Sequence, residues 1–200
     1  LRWAGGKRQL QDTILAAFPA DFKIGRNRYF EPFVGGGAIL MALPGTEFWP
    51  TKKPLKPKVF INDANLELVN TYRVLRNRRK PLIKALRKLA RNISSERYYK
   101  VREKEPKSKI DKAARFIYLN RLCFNGLHRV NSSGKFNVPY GKLKNPTVCD
   151  KDLLIAVGKF LKSTEISEGG FEDAVKKARK GDVVYFDPPY VPLSATASFS

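Results

Sequence analysis

Asp182-Val183-Val184-Tyr185-Phe186-Asp187-Pro188-Pro189-Tyr190 decides the fold of this 200-residue chain. Val183 to Phe186 is an unbroken run of β-formers, which predicts a strand buried on both faces of a parallel sheet. Pro188 and Pro189 cannot continue a ladder, so the strand ends at once. A carboxylate, a rigid turn and an aromatic ring are thereby expected at the carboxyl end of a central strand. Open α/β sheets place their ligands there.

The residue types suggest a chemistry. A planar amine, such as the exocyclic nitrogen of adenine, needs acceptors in its own plane. The Asp187 carboxylate and the Pro188 carbonyl can supply them, and Tyr190 offers a face for stacking a base. Asp-Pro-Pro is equally good chemistry for a plain surface turn, so the rest of the chain has to decide.

Composition narrows the choice. A 42% hydrophobic and 12% aromatic content is that of a folded domain. No apolar run approaches membrane length and no signal peptide is visible. Cys123, Cys149 and His128 match no metal or redox spacing, so no metal is expected and a reducing, cytoplasmic setting is. The net charge is +21, and residues 51–115, with 21 Lys/Arg and 6 Asp/Glu, carry +15 of it. A polyanion is the expected partner, bound in a salt-dependent way.

Upstream, Gly5-Gly6-Lys7 permits close backbone approach, but Arg8 follows where a phosphate-binding loop of the Walker type needs Ser or Thr. A short helix is expected from Leu10 to Phe18. Tyr29–Glu31 reads as a strand, Gly35-Gly36-Gly37 as a turn and Ile39-Leu40 as a helix, the nucleotide-binding arrangement of an open sheet. A second strand, Val59–Asn62, ends in Asp63, placed to take a ribose's hydroxyls. Pro44–Pro57, with four prolines, reads as a surface insertion of no assignable role.

From Leu66 to Asn120 the periodicity is helical, split at Pro81, with a later helix over Lys112–Asn120. Arg121 to Tyr140 reads as a β-hairpin with turns at Asn125-Gly126 and Ser133-Gly134 and a strand at Lys135–Val138. Phe124 or Leu127 near its turns can wedge between base steps; Arg129 suits guanine and Asn125 adenine. Asp152–Leu161 is expected helical, Lys162–Ile166 a strand and Phe171–Arg179 a helix. His128 is read as a satisfied or exposed side chain rather than a catalyst.

The ordered set Arg2-Trp-Ala-Gly-Gly-Lys7, Glu31-Pro-Phe-Val-Gly-Gly-Gly37, Asn62-Asp63, Tyr118-Leu-Asn-Arg121 with Asn125-Gly126-Leu127, Phe136-Asn-Val-Pro139 and Asp187-Pro-Pro-Tyr190 resembles the Dam-like family of DNA adenine-N6 methyltransferases. The resemblance spans the whole chain and implies S-adenosyl-L-methionine as cofactor and double-stranded DNA, methylated in GATC, as substrate. It implies a Rossmann-like class I methyltransferase sheet at 1–65 and 141–200. A helical plus β-hairpin target-recognition domain at 66–140 would be inserted into it.

By position, Trp3, Lys7, Phe33, Gly35, Gly37 and Asp63 fall at the family's cofactor contacts. Asp187, Pro188, Pro189 and Tyr190 fall at its catalytic tetrad, Asp187 also reaching the cofactor. Arg2, Phe124, Asn125, Leu127, Arg129 and Pro139 fall at or beside its DNA contacts. A monomer encoded by a bacterium or phage is expected, with a cognate restriction endonuclease as candidate partner.

The family's chain runs on past the tetrad with further strands. Four sheet strands are expected in this sequence, leaving the Asp187 strand as an apolar edge and suggesting a truncated sheet. A catalytically inactive DNA-binding remnant is therefore the alternative. Methylation of cytosine, RNA or protein glutamine is a third reading, disfavoured because the resemblance associates those substrates with Ser or Asn at the position of Asp187.

Overall fold

The computed structural model describes residues 1–3, 6–49 and 58–189. Four parallel strands form the sheet: β1 (Tyr29–Glu31), β2 (Val59–Asp63), β3 (Thr164–Glu168) and β4 (Val183–Val184). Their order is β3-β2-β1-β4. The helices are α1 (Gln11–Ala16), α2 (Ala38–Ala42), α3 (Leu66–Leu89), α4 (Ser95–Glu103), α5 (Lys109–Leu122), α6 (Lys151–Phe160) and α7 (Phe171–Val175). The chain builds outward from β1 through β2 to β3, then returns to lay β4 on the other side of β1. The strand order therefore switches between β1 and β4, where an open sheet leaves a crevice at its carboxyl ends.

β4 is pinned beside β1 by Asp182. Its carboxylate accepts the Arg28 backbone N–H at 2.8 Å, the Arg28 guanidinium at 2.7 and 3.0 Å and the Arg179 N–H at 2.8 Å. The expected double burial of β4 is corrected. Val183 and Val184 are half-buried and Phe186 is 48% exposed. The cause is position: among the described residues β4 pairs with β1 alone, so its outer edge and part of its face meet solvent. The ladder nevertheless reaches one residue further, through the Tyr185 N–H to the Phe30 carbonyl at 2.8 Å.

The expected split near Pro81 is present as a kink inside α3. It falls three residues before the proline, at Arg78, whose φ of −132° and ψ of 34° are non-helical. Proline removes a hydrogen bond to the carbonyl four residues back and crowds that carbonyl, so the bend appears upstream of the ring. Apolar residues on both sides of the kink (Leu68, Val69, Tyr72, Leu75, Leu82, Leu86) stay buried. They meet Ala113, Phe116, Ile117 and Leu119 of α5 in one apolar cluster that also takes in Tyr29, Ile61 and Ile166 of the sheet.

The expected hairpin is present around its Ser133-Gly134 turn, where the Asn131 N–H donates to the Lys135 carbonyl at 2.9 Å and the Asn137 N–H to the Arg129 carbonyl at 3.0 Å, but without regular strands. Residues 121–140 form an irregular ribbon joined by isolated antiparallel bridges, Val130 to Phe136 and Cys123 to Tyr140. Asn125 and Gly126 make the other expected turn. They sit in a 3-10 turn, Phe124–Gly126, with φ of 51° and 67°. The inward alternation survives: Phe136 and Val138 are buried while Lys135 and Pro139 are exposed. α7 stops at Val175, short of the expected Arg179. Trp49, unexplained by sequence, packs on Phe160 of α6 with ring centroids 5.0 Å apart. Gly5, Tyr190 and the 50–57 part of the proline-rich insertion lie outside the described residues.

α6 crosses α3 at Gly158. A Cβ there would lie 2.7 Å from the Leu75 carbonyl oxygen and 3.1 Å from Arg79 Cδ. Gly158→Ala is therefore expected to destabilise the protein by about 1–3 kcal/mol, although alanine is the better helix former by about 1 kcal/mol. Thermal denaturation checks this; a raised Tm would show that the two helices can part at no cost.

Candidate active site

The crevice between β1 and β4 is built from three stretches. The first is the loop leaving β1. Val34 N–H donates to the Asn62 carbonyl at 3.0 Å, and Gly37 N–H to the Val34 carbonyl at 2.7 Å, so the loop turns back over the end of β2. Gly35 and Gly37 have φ of 46° and 70°, a region that L side chains rarely adopt. The turn must also be bare. A Cβ on Gly35 would meet Trp3 Nε1 at 2.9 Å, and one on Gly36 would meet Trp3 Cβ at 2.8 Å.

The second stretch is the end of β2. Asp63 Oδ2 accepts the Gly35 N–H at 2.9 Å and Oδ1 accepts the Asn65 N–H at 2.9 Å. Each oxygen keeps a further lone pair for a ligand hydroxyl. The Gly35 carbonyl is held in turn by the Tyr72 hydroxyl at 2.9 Å. The third stretch follows β4. Asp187 Oδ1 accepts from Lys7 Nζ at 2.6 Å, which ties the amino-terminal segment to the strand end. Phe33, Phe171 and Phe186 form an aromatic wall beside it, with centroids 5.4 to 6.3 Å apart. The contacts link Trp3, Gly35 and Asp63 in one group and Lys7 with Asp187 in another, with Phe33 against Phe186 and with Pro188 and Pro189 exposed next to Asp187.

Sequence reasoning does not single out Glu31 as a site residue. It is 2% exposed at the end of β1, and the Tyr29 hydroxyl donates to its Oε2 at 2.8 Å. Burial pushes its carboxyl up to about 8, the nearby Asp187 carboxylate adding to the rise while the Tyr29 and Leu40 hydrogen bonds oppose it. The only signal in the sequence is a carboxylate ending an otherwise buried strand. The folded carboxyl keeps a proton that the unfolded chain releases near pH 4.5. Stability is therefore expected to fall as pH rises from about 4.5 to about 8 and to level off above. Glu31→Gln removes that slope, so its Tm should gain on the wild type between pH 5 and pH 8.5. The gain corresponds to at most about 4 kcal/mol. Parallel pH profiles of the two proteins would contradict the assignment.

The predicted DNA contacts cluster at the ribbon. The Arg2 backbone is clamped to Asn120, its N–H donating to Oδ1 at 2.8 Å, and Arg2 Cβ lies against Gly126. Phe124 is 50% exposed, and its N–H is held by the Pro139 carbonyl at 2.9 Å. Asn125 and Arg129 are exposed, Arg129 Nε donating to Asn137 Oδ1 at 2.8 Å across the ribbon. Leu127 is half-buried against the core. Asn120, a buried amide on α5, belongs to the Tyr118–Arg121 motif, but nothing in the sequence marks it as the clamp. A groove of about 1110 Å³ runs from Trp3, Gly36 and Gly37 past Arg2 and Arg121 to Asn125. Asp63, Lys7 and Asp187 do not line it. Among the described residues no helix is long and apolar enough to cross a membrane.

Comparison with known proteins fits this arrangement. The model of the D12 class N6 adenine-specific DNA methyltransferases matches residues 3–200. The type II methyltransferase M1.LlaDCHI of Lactococcus lactis subsp. cremoris is 43% identical over 207 residues, which cover 100% of this chain and 68% of that protein. M.MjaIII of Methanocaldococcus jannaschii, also a type II methyltransferase, is 42% identical, with 100% and 71% covered. The DNA adenine methylase of Escherichia coli K12 is 35% identical, with 100% and 67% covered. A match along nearly the full chain, over a parallel sheet whose switch point carries the Asp187 turn, shows that this chain belongs to the D12 class of N6 adenine-specific DNA methyltransferases.

Proposed function

We propose that the protein transfers a methyl group from S-adenosyl-L-methionine to N6 of an adenine flipped out of duplex DNA, in the sequence GATC. The observation that carries this reading is Asp187, held at 2.6 Å from Lys7 at the strand-order switch and followed by Pro188. The cradle that supports this cofactor is the end of β2 with the glycine loop: Asp63 keeps lone pairs for ribose hydroxyls, and the lack of side chains at Gly35 and Gly36 lets Trp3 pack close over the loop. Trp3, Lys7, Phe33, Gly35, Gly37 and Asp63 would hold it; when bound it supplies a sulfonium methyl.

The chain's own residues do the rest. An amine inside the base stack is out of reach, so the adenine has to leave the duplex. Asp187 and the Pro188 carbonyl accept the N–H bonds of its amine. That raises electron density on the nitrogen and aims its lone pair. Tyr190, by its place in the sequence, stacks on the ring. No covalent intermediate is required, and positioning with fixed electrostatics provides the acceleration.

On this reading residues 66–140 form the target-recognition domain, Phe124 takes the place of the extruded base, and Arg129 and Asn125 read base edges. The protein acts as a cytoplasmic monomer, with a restriction endonuclease as candidate partner. The inactive-remnant alternative gains no support from the comparisons. A duplex with 2-aminopurine at the GATC adenine tests the flipping step. Fluorescence is expected to rise several-fold on binding, and no rise at GATC relative to a scrambled site would contradict the reading.

A further inference from the structure

His128 lies between Leu127 and Arg129 of the ribbon and is half-buried. Its ring stacks on Trp3, with centroids 5.6 Å apart and planes 19° from parallel. Phe116 of α5 and Phe136 of the ribbon complete an aromatic box, at 5.6 and 5.7 Å. The glycine loop also packs on Trp3, which is the group that a Cβ on Gly35 or Gly36 would strike.

A second route reaches the same ring. Asn65 Nδ2 lies 3.4 Å from both His128 ring nitrogens. Asn65 caps α3, its Oδ1 accepting the Leu68 N–H at 3.0 Å, and this fixes which end of the amide faces the histidine. The amide therefore presents N–H, which a neutral ring accepts at whichever nitrogen carries the lone pair. Burial lowers the His128 pKa, against the opposing pull of Glu67 and Asp63, which suits an uncharged acceptor. The Asn65 backbone N–H in turn holds Asp63, whose other oxygen holds Gly35. The contacts close a circuit: Asp63, Asn65, His128, Trp3, Gly35 and back to Asp63.

We propose that His128 is a positioning residue that couples cofactor binding at the glycine loop to DNA binding at the ribbon. It does so by holding Trp3 and Asn65 on one side and Leu127 and Arg129 on the other. The inference rests on the reading of the loop as the cofactor cradle and the ribbon as the DNA-reading segment. Ordering of either end favours the packed box and so prepares the other. The coupling must be reciprocal.

The test measures how far S-adenosylhomocysteine tightens binding of the protein to a GATC duplex. The wild type is expected to gain about tenfold. His128→Ala should bring the gain to about twofold or less, with the separate affinities for S-adenosylhomocysteine and for duplex kept within about threefold. His128→Phe keeps the aromatic slab and should restore most of the gain. A His128→Ala protein that keeps the full gain overturns the proposal. So does loss of both separate affinities along with the gain in both variants, which would make His128 a purely structural residue. A wild type that binds each ligand without coupling overturns it too, while leaving the proposed function standing. A wild type that binds neither overturns the proposed function, and this inference with it.

Discussion

Replacing Asp187 by alanine is expected to lower the methyl-transfer rate by about 10³-fold or more. The carboxylate is placed by three independent features. The β1–β4 register puts Phe30 opposite Val184, the Asp182–Arg28 contacts pin the strand's entry, and Lys7 grips Oδ1 at 2.6 Å. A group fixed this firmly loses little in reorganisation when an amine arrives, and alanine forfeits all of that. Truncation also takes the Asp187 carboxylate away from the Lys7 ammonium, so cofactor affinity should change as well. Single-turnover transfer, with circular dichroism to check the fold, decides the point. A rate within tenfold of the wild type would remove Asp187 from the chemistry.

Arg129→Ala is expected to cut discrimination between GATC and a singly altered site by about 10- to 100-fold, the worth of one bidentate base contact. Total DNA affinity should change far less, because a chain of net charge +21 has many other phosphate contacts to offer. Arg129 is exposed and its Nε is tethered to Asn137 Oδ1, which holds the guanidinium across the ribbon. Competition binding at fixed salt separates the cases. A loss equal at every sequence, with a shallower salt slope, would make Arg129 a phosphate contact instead.

The sheet was legible because its strands are short runs of β-formers ended by chemistry that does not continue them: Asp63 and the helix-capping Asn65 at the end of β2, Pro188 after β4. The glycine loop was legible because its positions forbid a side chain. Local rules located two breaks to within a few residues. Pro81 marks the split in α3, and the kink falls three residues upstream at Arg78, with Leu75, Leu82 and Leu86 buried on either side of it. Asn125-Gly126 marks a turn, which takes the form of a left-handed pair in a 3-10 turn against Arg2.

His128 and Glu31 were not legible in this way. His128 gains its meaning from partners far away in the chain, Trp3 and Asn65, and Glu31 from its burial at the end of β1; no periodicity reports either. The burial of β4 was overestimated because an apolar run records what a strand can bury, whereas its exposure depends on which neighbours pair with it.

The most direct test of the central claim is transfer of tritium from S-adenosylmethionine to a GATC duplex, followed by digestion and separation of the nucleosides. Label is expected in N6-methyladenine from GATC duplexes and, from a scrambled duplex, at about 100-fold lower level. Label in cytosine, equal label in both duplexes, or no label while the duplex is bound would each contradict it.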